Sequence, residues 1–77
     1  MTAREVGNVN QRVGQRIRRL REARKLSQED FAREIGLKLN AVSRWERGES
    51  KPNIVSLYRV AIFFSRPMEY FMKEDQR

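Results

Sequence analysis

The chain has 77 residues with no cysteine and no histidine, and its 17 Lys and Arg against 10 Asp and Glu give a formal charge of +7. That length holds one domain whose core takes roughly 60% of the unfolded chain's surface out of water, and no disulfide supports so small a fold; this points to a reducing compartment and to helix packing, helped by dimerisation. Without histidine the usual zinc ligand and the commonest general base are missing, and no carboxylate lies in an apolar stretch that would raise its pKa, so no metal, cofactor or enzymatic activity is expected.

Thirteen of the cations are arginine, whose planar fork matches phosphate oxygens and the edge of guanine. The excess charge therefore favours a nucleic-acid partner over a merely solvated surface. Residues 1–8 show no sustained period and read as a mobile arm in front of a domain covering 9–77. Residues 1–13 have no apolar stretch of signal-peptide length. The longest apolar run, Val60-Ala61-Ile62-Phe63-Phe64, is far short of a membrane span, so the protein is expected in the cytoplasm with no membrane partner.

From Val9 onward the apolar residues Val9, Val13, Ile17 and Leu20 form one helical stripe, predicting a first helix over 9–24 with Leu26 closing over its end. Ser27 is placed as an N-cap with Asp30 at the capping-box position, and Glu29 and Asp30 put negative charge in the first turn of a second helix. Phe31, Ala32 and Ile35 form its inner face, and Gly36 supplies the left-handed residue that stops it. A third helix is predicted over 39–47, with Val42 and Trp45 inward and Gly48 at its end. After a polar loop, Asn53 caps a fourth helix whose inner face is Ile54, Leu57, Val60, Ala61 and Phe64. Ser65 and Arg66 break the pattern. Pro67 then opens a short fifth helix carrying Met68, Phe71 and Met72. The fold class is all-α.

Two short amphipathic helices around one glycine turn, the second with a polar, cationic outer face, suit a helix-turn-helix whose second helix enters the DNA major groove. With Val42 and Trp45 inward, the 3.6-residue period turns Asn40, Ser43, Arg44 and Arg47 to the opposite side. Arg44 can grip O6 and N7 of guanine. Asn40 has two roles open to it, bridging N6 and N7 of adenine or serving as N-cap in place of Lys38. Leu39 can pack on a thymine methyl or cover the edge of the core, and Ser43 is small enough for close approach to a base. Gln28 lies at a helix N-terminus, where free N–H groups attract phosphate. Lys38, Arg47 and Lys51 flank the reading helix and suit the phosphate backbone, which positions a protein without carrying sequence information. Trp45 is spaced for the core rather than for base stacking.

At Ile17-Arg18-Arg19-Leu20-Arg21, Leu26-Ser27-Gln28-Glu29-Asp30-Phe31-Ala32, Ser43-Arg44-Trp45-Glu46-Arg47-Gly48 and Lys51-Pro52, the sequence resembles the Xre/Cro/C1-type helix-turn-helix family of phage repressors and bacterial regulators. The resemblance covers about residues 13–72 and implies a compact five-helix, lambda-repressor-like domain that binds a palindromic or pseudo-palindromic operator as a homodimer. It further implies a phosphate contact from Gln28, base reading by the third helix, and a salt bridge between Arg21 and Glu46. One position departs from the pattern: Lys38 stands where the family commonly has a Ser or Thr N-cap.

Residues 60–72 are rich in hydrophobic side chains, more than one face of a helix can bury. Phe63, Met68, Tyr70 and Met72 are the candidates left over for a dimer interface. The leading expectation is a sequence-specific regulator of transcription, a repressor or control protein, binding double-stranded DNA. The alternative is an antitoxin-like or co-regulatory module that holds a protein partner through the last two helices.

Overall fold

The stripe of Val9, Val13, Ile17 and Leu20 forms one wall of the core in the computed structural model, with Val13 and Ile17 buried and the outer two partly so. Residues 2–73 are described, residues 3–8 by their backbone alone. The helices are α1 (Ala3–Ala23), α2 (Gln28–Ile35), α3 (Leu39–Glu46), α4 (Ile54–Phe64) and α5 (Glu69–Met72), and no described residue lies in a strand. α1 packs on α3 and α5, and α2 packs on α3 and α4. Their inner faces enclose an aromatic cluster in which Phe31 meets Phe64 at 5.3 Å and Phe63 at 5.6 Å between ring centroids.

α1 begins at Ala3, well before the expected start at Val9, so residues 3–8 of the expected arm are helical backbone. The cause is propagation: once the buried stripe nucleates the helix, each further residue is added at little cost. The signal lay at Thr2, which with Glu5 three residues on has capping-box spacing. Met1 and the end of the expected domain, 74–77, lie outside the described residues.

α1 to α4 all end by one device. The first or second residue past the helix turns left-handed and two crossed N–H···O bonds close the last turn. Lys25 bonds Glu22 and Leu26 bonds Arg21 after α1; Gly36 bonds Arg33 and Leu37 bonds Ala32 after α2. Gly48 bonds Trp45 and Glu49 bonds Arg44 after α3; Ser65 bonds Ile62 and Arg66 bonds Ala61 after α4. Lys25 and Ser65 adopt φ of 57° and 55° despite carrying a Cβ, at a cost of about 1–2 kcal/mol each. Arginines then satisfy carbonyls left near the helix ends: Arg24 donates to Phe63 (2.8 Å), Arg16 to Tyr70 (2.7 Å), Arg12 to Met72 (3.1 Å), and Arg59 to Ile35 and Gly36 (both 3.4 Å). A cation at a helix C-terminus also meets the negative end of the dipole.

Two further expectations, at α4 and α5, need correction. Ile54 is 72% exposed rather than inward; Asn53 caps Ser56 N–H at 2.8 Å, so Ile54 is the first helical residue and lies beyond the edge of the core, while Ser56 is buried instead. Pro67 does not open α5, which starts two residues later after a turn closed by Tyr70 N–H on the Pro67 carbonyl. Phe63, Met68 and Tyr70 pack partly buried against the core of their own chain. Arg24 stacks on Phe63 at 4.9 Å, and Arg16 and Arg66 stack on Tyr70 at 5.7 and 5.4 Å, so arginines cover rings that looked unpartnered. Met72 alone of the four expected interface residues is classed as exposed, at 45%.

Candidate nucleic-acid interface

The candidate interface lies on α2, the Gly36 turn and α3. Ser27 Oγ accepts from Asp30 N–H at 3.0 Å and starts α2; Gly36 ends it and reverses the chain at φ 72°, a left-handed backbone that a side chain would strain. Lys38 is the N-cap of α3 but makes no side-chain capping bond. Asn40 therefore lies inside the first turn as an exposed helical residue, which settles its position against the capping alternative. Val42 and Trp45 are buried at 0% and 5% exposure. Their burial fixes the rotation of α3 and turns Asn40 and Arg44 to solvent.

Leu39, Asn40 and Arg44 share this outer surface, with Lys38 at its leading end and Lys51 beyond its far end, all exposed. The side chains of Asn40, Arg44, Lys38 and Lys51 make no hydrogen bond or ion pair with any described residue. Leu39 is 41% exposed and stands apart from the core. Ser43 is half-buried and accepts a hydrogen bond from Arg47 Nη1. Arg47 also donates from Nε to Glu49 Oε2 at 2.6 Å and from Nη2 to Oε1 at 3.3 Å. Hydrogen bonding to Glu49 raises the Arg47 pKa. The same bond holds the Glu49 carboxyl below its ordinary value; it outweighs desolvation, which acts the other way, and the charges of Arg47 and Arg44 add smaller effects in its favour.

Behind this surface, Arg21 grips Glu46 through Nε and Nη2 at 2.7 and 2.9 Å and donates from Nη1 to the Leu26 carbonyl at 2.6 Å. The two side chains are only 10% and 3% exposed. The bond to Glu46 raises the Arg21 pKa despite opposing burial. Gln28 turns its amide inward and donates to Glu46 Oε1 at 3.0 Å. Glu46 thus ties α3 to α1 and to the start of α2. α1 approaches α3 so closely that a Cβ on Gly14 would run into the Trp45 carbonyl, and one on Gly48 would lie 2.8 Å from Gln11 Cγ.

Sequence reasoning missed the Glu49 partner of Arg47, the inward turn of Gln28 and the close approach at Gly14. The acidic residue just past Gly48 was visible, but only the left-handed turn brings it back onto α3. No group of His, Cys, Asp or Glu among the described residues is arranged to hold a metal. No helix among them is long and apolar enough to cross a membrane.

The helix-turn-helix family matches residues 17–71, and the chain belongs to it, in its Xre/Cro/C1 form. An uncharacterized transcriptional regulator in the ATPase CF(0) region of Rhodospirillum rubrum is 35% identical over 74 residues, 96% of this chain and 68% of that protein. The transcriptional activator BcrR of Enterococcus faecalis is 29% identical over 62 residues, which are 80% of this chain but only 30% of the relative's length. The crystal structure of the c2 repressor protein of phage P22 in complex with a synthetic operator superposes with a TM-score of 0.76 at 32% identity, covering 82% of this chain and 96% of that one. Among the described residues the chain has five helices in the lambda-repressor-like arrangement.

Proposed function

We propose that this chain binds double-stranded DNA in the cytoplasm as a homodimer, with α3 in the major groove of an inverted-repeat operator, and acts as a repressor-type regulator of transcription. The observation that carries this reading is the outer face of α3. Asn40 and Arg44 stand exposed and without side-chain partners among the described residues, framed by Lys38 and Lys51, while Val42 and Trp45 anchor the opposite face. Arg44 reads guanine, Asn40 adenine, and Leu39 and Ser43 line the approach to the base edges. Lys38, Lys51 and Arg47 take phosphates. Gln28 contributes from the N-terminus of α2, where its inward amide braces Glu46. The operator named in the P22 structure supports the DNA partner. The chain's extents of 34 × 25 × 21 Å suit two copies side by side with their α3 helices about 34 Å apart, one turn of duplex.

The test is selection from a random duplex pool, followed by a salt titration on the selected site. An inverted repeat with half-site centres roughly ten base pairs apart is expected. With about six phosphate contacts per dimer, affinity should fall on the order of a thousandfold between 50 and 200 mM salt. Arg44→Ala should cost about 1–3 kcal/mol and relax one base pair per half-site, whereas Lys51→Ala should weaken every sequence alike and flatten the salt response. Absence of duplex binding at low salt would overturn the reading.

A second reading, a module that holds a different protein, is favoured by one observation. The outer face of α4 exposes Val55, Tyr58 and Ile62 at helical spacing. Co-purification of a stoichiometric second protein would support it.

A further inference from the structure

We propose that Glu49 is an intramolecular counter-ligand for Arg47, which keeps that arginine from acting as a general phosphate clamp and must be exchanged for a phosphate when α3 docks. The inference rests on the DNA-binding reading above. Arg47 presents two edges of its guanidinium, and both are taken. Nε and Nη2 meet the two carboxylate oxygens of Glu49 at 2.6 and 3.3 Å, and Nη1 meets Ser43 Oγ. The fork geometry that suits a carboxylate is the one that suits a phosphate, so the two compete for the same donors.

The placement makes this more than a surface ion pair. Arg47 follows α3 directly, Gly48 turns left-handed at φ 75°, and Glu49 N–H returns to the Arg44 carbonyl at 3.0 Å. Glu49 is thus pinned beside the reading surface with its charge felt by both Arg44 and Arg47. Its side chain is 52% exposed and that of Arg47 is 55% exposed, so both are open to a phosphate backbone. A carboxylate there opposes binding to any duplex, because non-specific affinity is nearly all phosphate electrostatics. An exposed pair is weak enough to be exchanged, which leaves Arg47 usable once Arg44 and Asn40 have brought α3 into register. Ser43 is released in the same exchange.

The experiment measures affinity for a random-sequence duplex and for the selected site across a salt series. It compares the wild type, Glu49→Gln, Arg47→Gln and the double variant, with thermal melts to show that all four fold. Glu49→Gln should bind both duplexes more tightly, by roughly two- to fivefold per protomer. On the random-sequence duplex its log–log salt slope should steepen by about one phosphate contact per protomer, whereas on the selected site, where Arg47 already takes a phosphate, the slope should hold. In the Arg47→Gln background the second change should add little, since the counter-ligand then has nothing to hold. An equal gain in both backgrounds would make Glu49 an ordinary repulsive charge and overturn the exchange. An unchanged slope in Glu49→Gln on the random-sequence duplex, with normal wild-type binding, would overturn it while leaving the DNA-binding reading intact. A wild type that binds no duplex would overturn both.

Discussion

Glu46 accepts two hydrogen bonds from Arg21 and one from Gln28, all behind the surface that faces the proposed DNA. An unneutralised carboxylate at the end of α3 would repel phosphate. Paired, it fixes where α3 ends relative to α1. Removing it leaves the nearly buried Arg21 without its counter-ion, and breaking a buried pair on one side is costly. Glu46→Ala is therefore expected to lower unfolding free energy by about 3 kcal/mol, measured by urea denaturation. Arg47 and Glu49 present the opposite case, exposed and exchangeable. Because the Glu49 carboxyl sits below its ordinary value, its pair persists as pH falls through the usual glutamate range and is lost only at more acid pH. A side-chain carbon titration by NMR should show that depressed midpoint, and Arg47→Gln should bring it back toward the ordinary value.

Among elements, the contact of α1 with α3 decides how the reading helix is presented. Gly14 permits it: the two backbones meet where a side chain would collide with the Trp45 carbonyl. Gly14→Ala would gain about 1 kcal/mol of helix propensity and lose more by forcing the helices apart, since overpacking costs about 1–3 kcal/mol and backbone cannot yield as a side-chain tip can. The variant should be net destabilised, and the displaced α3 should lose affinity for the selected site beyond what unfolding explains. Melting curves and DNA titrations at a temperature where the variant is fully folded separate the two effects.

For the whole molecule, charge and apolar surface are distributed differently from what composition suggests. Arg12, Arg16, Arg24 and Arg59 cap helix carbonyls, and Arg21 holds Glu46. Much of the arginine excess that pointed to nucleic acid therefore holds the fold. The exposed apolar surface runs along α4 through Ile54, Val55, Tyr58 and Ile62, with Met72 sharing a groove with Ile54. The proposed dimer would bury that belt. Tyr58→Glu and Met72→Glu both place charge on it without touching the core. Sedimentation should show weaker self-association for whichever lies in the contact, with unchanged circular dichroism. Phe63→Glu should instead unfold the monomer. If neither exposed variant shifts the equilibrium, the belt is not where the copies meet.

The sequence by itself determined the helices and their order, because apolar residues at helical spacing, the Ser27 and Asn53 caps and the Gly36 and Gly48 stops are local signals. It also determined which face of α3 points outward, since Val42 and Trp45 can only be inside. Tertiary structure decided what depends on residues far apart in the chain. The stops at Lys25 and Ser65 carry no glycine to announce them. Phe63 and Tyr70 looked free until Arg24, Arg16 and Arg66 lay over their rings, and Ile54 looked internal until the first turn of α4 projected past the core. Gln28, Arg47 and Ser43 were all visible as polar residues near the reading helix. Whether each faced DNA, Glu46 or Glu49 turned on side-chain reach across helix ends, which linear spacing does not encode.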